Sequence, residues 1–216
     1  MIDLLRRAAP LLWDALYMTV LLGVSSFVIG VGIGLGAAVG RLSRFRTLRT
    51  VIGLYVSLFR GTPVLLQVLL VYYGLPQLGV EIAPVPAVII ALSLHAGAYL
   101  TETFRAGITA VDTGQRDAAH SMGMTGSQQF RRVILPQAVR IVVPPVGNQF
   151  ISLMKDTSLA SVVTVVELTR VAEIVGSSTF RYLEMFVVAG LIYWIICTLL
   201  AVGQEVLERR LGRVNA

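Results

Sequence analysis

A chain of 216 residues with 56% apolar and 14% charged residues departs in both directions from the roughly 45–50% and about 25% usual in soluble domains. With a mean hydropathy of +0.78, that excludes an ordinary soluble domain and indicates an integral membrane protein. The net charge of +6 does not indicate nucleic acid, because the arginines gather at a few loops without interleaved aromatics, and the single Cys197 excludes an internal disulfide or CxxC metal site.

Arg6 and Arg7 precede the first apolar run, at 15–40. That run is too long for a cleaved signal core of about 7–15 residues and suits a spanning helix of about 20. The first dozen residues are expected to form an interfacial amphipathic helix, with Leu4, Leu5, Leu11 and Leu12 toward lipid. Gly32, Gly36 and Gly40 repeat every fourth residue and make a smooth face, for packing within the subunit or against another subunit.

The second apolar run, 51–75, is interrupted by Arg60 and Pro63. Pro63 forbids regular helical bonding four residues back and Gly61 loosens the same turn, so a break is expected there. A break at membrane depth is tolerated only in protein or along a cavity, and transporter sites lie at such breaks. The third run is 83–101 and the fourth, 141–166, is interrupted by Lys155 and Asp156. Pro144 and Pro145 are read as the entry to the fourth helix. The fifth run is 185–204.

The expected fold is therefore an all-α integral membrane protein of about five transmembrane helices. It forms one domain over 1–216, with a core at about 15–205 and a polar loop at about 106–140. With five spans, Arg41, Arg44, Arg46 and Arg49, then Arg105, Arg116, Arg131, Arg132 and Arg140, then Arg209, Arg210 and Arg213 fall on one side. The positive-inside rule makes that side cytoplasmic, placing the C-terminus inside and the N-terminus, against the pull of Arg6 and Arg7, outside. The opposite side, with Glu81, Arg170, Glu173, Arg181 and Glu184, is nearly balanced.

The polar stretch 105–140 is too long for a plain connector. Residues 117–122 suit a short helix entered from a turn at Gly114 and stopped at Gly123, where a left-handed backbone is permitted. A second helix over 127–135 is expected to end before Pro136. Within this hairpin, Asp117-Ala118-Ala119 is followed after three intervening residues by Gly123 and, after nine more intervening residues, by Val133, Ile134, Leu135 and Pro136. This resembles the EAA loop of ABC importer permeases, with Asp117 for Glu and Val133 for Ile. The resemblance extends to Phe59-Arg60-Gly61-Thr62-Pro63 with Leu66-Gln67 and Tyr72-Tyr73-Gly74-Leu75-Pro76, to Ala98 through Arg105, and to Asn148 through Leu159, which are similar to the polar amino-acid permeases; Tyr73 through Glu81, with Pro84 and Pro86, is similar to cystine-type permeases.

The resemblance implies that Asp117, Ala118, Ala119, Gly123, Leu135 and Pro136 belong to a cytoplasmic coupling helix docked on an ATPase subunit. It also implies two permease subunits, alike or related, two ATPases and an extracytoplasmic solute-binding protein in the inner or plasma membrane. No cofactor is implied. Cystine is the first expected substrate, then Glu/Gln or basic amino acids.

Ionisable residues at membrane depth are costly and usually line a cavity or pair with each other. Candidate substrate contacts are Arg60, Gly61 and Thr62 at the break, Tyr99 and Glu102 on the third helix, and Ser152, Lys155, Asp156 and Thr157 on the fourth. A cationic Lys155 suits an α-carboxylate and Glu102 an α-ammonium. Equally, Lys155 pairs with Asp156 or Glu102 to hold helices together, and Arg60 snorkels to headgroups. His95 and His120 have no second metal ligand at usable spacing. Lys155, the only lysine, is not preceded by glycine, so no Walker A loop is present. The competing readings are a stand-alone secondary transporter or channel, and a membrane enzyme using Glu102 and Lys155.

Overall fold

The computed structural model describes residues 2–212, with side chains from 6 to 210. Among the described residues nine α-helices follow one another: α1 (Ile2–Arg41), α2 (Arg46–Gly61), α3 (Val64–Leu69), α4 (Pro84–Thr109), α5 (Thr113–Ser121), α6 (Gly126–Gln129), α7 (Leu135–Asp156), α8 (Leu168–Thr179) and α9 (Tyr182–Gly212). Among the described residues there is no β-strand. Three helical stretches among the described residues are long and apolar enough to cross a membrane: Arg6–Arg41, Pro84–Thr109 and Tyr182–Arg210. The pair α2 and α3 forms a fourth if counted as one bent span.

Helix α4 is the hub. Its most apolar window is 61% buried within the chain, against 28% for α1 and 11% for α9. Small residues let α1 lie close on it. A Cβ at Gly34 would stand 2.7 Å from Leu100 Cβ, and one at Gly30 3.0 Å from Ala96 Cβ. On α4, Gly97 returns the contact, with Ile33 at 2.7 Å and the Tyr55 hydroxyl of α2 at 2.9 Å from its would-be Cβ. Tyr55 donates to the Leu94 carbonyl at 2.6 Å, locking α2 to the same helix. The glycine face that packs on α4 is thus Gly30 and Gly34, while Gly32 and Gly36 have nothing within 4 Å and Gly40 meets Ile52 of α2.

The main core joins Leu22 of α1, Val68 of α3, Val88 and Leu92 of α4, Leu153 of α7, and Ala160 and Val163 of the turn after it. A second cluster packs Ala8, Leu12 and Ala15 of α1 against Leu168 and Val171 of α8 and Met185 of α9. That cluster corrects the interfacial-helix expectation. Residues 2–12 are part of α1 itself, and Leu12 faces helices of the same chain. Leu11 is exposed, while the side chains of Leu4 and Leu5, and all of Arg213, lie outside the described residues.

Other boundaries differ for local reasons. The fourth apolar run is not one helix: α7 ends at Asp156, a 3-10 turn covers Thr157–Val163, and Thr164 closes it with a left-handed backbone at φ 68. Pro144 and Pro145 lie inside α7 rather than at its entry. Helix α8 lies between the fourth and fifth apolar runs, where no helix was expected. It is amphipathic, burying Leu168, Val171, Ala172, Val175 and Gly176 while Arg170 and Glu173 form an outer ion pair at 2.9 Å.

Candidate functional site

The break between α2 and α3 is built by three residues. Gly61 ends α2, and Thr62 (φ −120, ψ 148) and Pro63 (φ −61, ψ 135) are extended, bending the path by 110°. Pro63 lacks the N–H that the Phe59 carbonyl would take in a helix. The side chain of Gln67 replaces it. Its Nε2 donates to the Phe59 carbonyl at 2.8 Å, the Thr62 carbonyl at 3.1 Å and Thr62 Oγ1 at 3.0 Å. Gln67 is buried, and its Oε1 lies 3.1 Å from Nδ1 of buried His95 on α4. The His95 ring packs on Tyr99 at 4.9 Å, and the Arg60 guanidinium stands 5.2 Å from the Tyr99 ring centre. Arg60, Thr62 and Tyr99 are therefore brought together, through Gln67 and His95.

Glu102 lies one turn beyond Tyr99 but is held elsewhere. Arg105 donates to its Oε2 from Nε at 2.9 Å and from Nη2 at 2.7 Å, and Arg41 pairs with its Oε1 at 3.5 Å. The Lys155–Glu102 pair that the sequence allows is thus not formed, and no ion pair joins Lys155 to Asp156 among the described residues. Neighbouring helical residues point to different faces. Lys155 is exposed and lines a cavity of about 320 Å³ with Ser158, Thr169, Phe186, Gly190 and Tyr193. Ser152 is exposed and Asp156 half-buried. Thr157 is buried, donating to the Met154 carbonyl at 2.7 Å, with its Oγ1 3.5 Å from the Tyr193 hydroxyl. No hydrogen bond or ion pair among those resolved links this group to the one around Arg60.

Glu167, fully buried, is the polar node nearest to that second group. It caps α8 by accepting from the Thr169 N–H at 2.9 Å and the Arg170 N–H at 2.8 Å, and Tyr193 of α9 donates to it at 2.7 Å. The Leu168 N–H donates to Thr19 of α1 at 3.4 Å. One carboxylate thus ties the start of α8 to α9, with α1 joined beside it. Gln67, Glu167 and Tyr193 were not among the candidate site residues, and His95 was read only as lacking a second metal ligand. For Glu167 a signal existed, since an acid directly before an apolar, helix-forming stretch is an N-cap candidate.

The hairpin after α4 is capped at every end. Arg116 Nη2 donates to the Ile108 carbonyl at 2.6 Å, closing the end of α4. Asp112 accepts from the Gly114 N–H, so α5 starts at Thr113, earlier than the expected residue 117. At its other end the Gly123 N–H bonds the His120 carbonyl at 2.9 Å and the Met124 N–H the Ala119 carbonyl at 3.2 Å. With Gly123 left-handed at φ 72, this is a Schellman stop. Thr125 and Gln128 form a capping box that starts α6. The second helix does not end before Pro136. It widens into a π-helical turn over Phe130–Ile134 and runs on into α7. Asp117, Ala118, Met122, Gly123, Leu135 and Pro136 are exposed, whereas Ala119 is buried. The smooth outer surface of α5 is therefore Ala118, not both alanines.

Residues 30–213 match the family described as binding-protein-dependent transport system inner membrane component. The chain belongs to that family. It is 45% identical over 208 residues to the L-cystine transport system permease protein TcyB of Bacillus subtilis (strain 168), covering 96% of this chain and 89% of that protein. With the arginine transport system permease protein ArtQ of the same organism it shares 36% identity over 203 residues, covering 94% and 93%. A solved amino acid ABC transporter with histidines superposes with a TM-score of 0.92 at 38% identity, over 95% of this chain and 96% of that one. The family description places the permease in an inner membrane.

Proposed function

We propose that this permease is the translocation subunit of an ATP-driven importer for polar amino acids, with cystine the first candidate. It is a single permease domain of about five spans, with α7 supplying the span that composition alone does not mark. Its N-terminus is outside and its C-terminus cytoplasmic, and it pairs with a second permease, two ATPase subunits and a solute-binding protein. The observation that carries this reading is the capped 113–136 hairpin, which projects Asp117, Ala118 and Met122 from a frame held by backbone and side-chain bonds. A stiff, exposed handle suits a partner that pushes. Amino-acid transport is supported by the relatives named above.

Mechanically, ATP-driven closure of the ATPases moves the two hairpins. Helix α7 is continuous with the hairpin through the π turn, so it carries the motion to Lys155 and to the turn after it. An amino-acid substrate stripped of water needs a cationic partner for its carboxylate. Lys155 suits that carboxylate, and Arg60, Thr62 and Tyr99 gather at the break between α2 and α3. Glu102, already shared by two arginines, acts here as their counter-charge. A stand-alone channel explains the buried polar groups but gives the hairpin no task.

The test is co-purification. The wild-type permease brings down an ATPase whose hydrolysis responds to substrate-loaded binding protein. Gly123→Val strains a left-handed position at about 1–2 kcal/mol, and it lowers that coupling while the helices still assemble. Unchanged coupling in Gly123→Val would count against the handle.

A further inference from the structure

At the turn between α1 and α2, four arginines meet in one pocket. Arg41, Arg46, Arg49 and Arg105, with Leu42 and Thr50, line a cavity of about 410 Å³. Among the described residues, Glu102 is the only carboxylate paired with any of them, meeting Arg105 at 2.7 Å and Arg41 at 3.5 Å. Arg46 and Arg49 make no ion pair among the described residues. Four cations against one anion leave the pocket strongly positive, and like charges held together call for a counter-anion.

Two of the four arginines are fixed in advance. Arg105 is clamped by the two-pronged contact with Glu102. Arg41 lies along α2, donating to the Arg49 carbonyl at 3.2 Å. It occupies space left by Gly53, where a Cβ would come within 2.8 Å of its Nη1. The N-terminus of α2 opens here too, with no side chain capping its first turn, so unpaired N–H groups add to the positive field. Guanidinium groups match phosphate oxygens in a planar, two-pronged fashion. Around the pocket, Leu42, Phe45, Leu48 and Val51 are exposed, an apolar rim suited to acyl chains beside a headgroup.

We infer that this pocket binds a phosphate-bearing anion, most directly the headgroup of an anionic phospholipid at the membrane surface. Inorganic phosphate has the same chemistry without the acyl chains. The site depends neither on which solute is carried nor on the docking of an ATPase. A bound headgroup would pin the junction of α1, α2 and α4 at the interface.

The test is native mass spectrometry of the full transporter complex with phosphatidylglycerol or phosphatidylcholine, with and without millimolar inorganic phosphate. Wild type retains phosphatidylglycerol over phosphatidylcholine. Arg46→Ala/Arg49→Ala retains it at least about tenfold less, in keeping with the pull of two surface cations on anionic lipid. The charge-matched control Arg209→Ala/Arg210→Ala, in the exposed end of α9, retains it as wild type does. Displacement by phosphate alone assigns the site to the free anion. Persistence of the lipid in phosphate assigns it to the headgroup. Should the alanine variant not assemble, Arg46→Lys/Arg49→Lys decides, because it keeps charge but loses the fork and still drops retention several-fold. Equal retention in the decisive variant, or equal loss in the α9 control, overturns the proposal.

Discussion

Pro63 and Pro136 each remove one N–H from a helical path, yet the outcomes differ. At Pro63 the chain turns by 110° through two extended residues. At Pro136 it widens by one π-helical turn, the Leu135 N–H reaches the Phe130 carbonyl, and the helix continues. A glutamine lies near each proline, but only Gln67 reaches the carbonyl that its proline leaves without a donor. Gln67 gives to two carbonyls and a hydroxyl and is itself tied to His95. Gln137 gives only to the Val133 carbonyl, at 3.0 Å. The proline removes a donor; the donors nearby, and what they are anchored to, decide whether the helix breaks or bulges.

The sharpest way to break this comparison is Gln67→Leu. It strands the Phe59 and Thr62 carbonyls inside the chain, and unmade hydrogen bonds of that kind cost about 1–3 kcal/mol each. The expected result is a loss of about 2–3 kcal/mol in the unfolding of the purified permease, with solute uptake falling as Arg60 loses its seat beside Tyr99. A stability equal to wild type would mean that the break holds itself. A smaller effect is expected from Thr125→Ala, which removes the capping box that starts the bulged helix. It costs about 1 kcal/mol, seen as faster hydrogen exchange confined to 125–130. The smallest is Gln137→Leu, at roughly 0.5–1 kcal/mol for one half-buried bond. A larger loss there than at Gln67 would invert the account of the two prolines.

Much of the frame was legible from residues alone. The apolar runs that became α1, α4 and α9 needed no tertiary information, because lipid demands length and hydropathy. Gly123 was legible as a stop, since a left-handed residue is cheapest as glycine. The break at Pro63 was legible as a loss of one donor, but its repair was not. Gln67 and His95 are 28 positions apart, and a glutamine in an apolar run reads only as a blemish. Gly30 and Gly34 rather than Gly32 and Gly36 face α4, a choice set by which side of α1 meets Ala96 and Leu100. Helix α8 was missed because its outer charges mask a buried stripe over only 12 residues. Glu102 was read as a partner for an α-ammonium or for Lys155 because Arg41 and Arg105 were counted as loop charges, while the fold brings them to it.

The claim on which the rest depends is that α5 grips an ATPase subunit. Cys197 is the only cysteine, so in a Cys197→Ser background Ala118→Cys places one exposed thiol on the outer surface of α5. Oxidative cross-linking of the intact transporter, with a thiol introduced across the ATPase surface, measures the contact directly. The account predicts a cross-link from position 118 to the ATPase whose yield changes with ATP. A thiol at position 118 that never cross-links in the active assembly would contradict it.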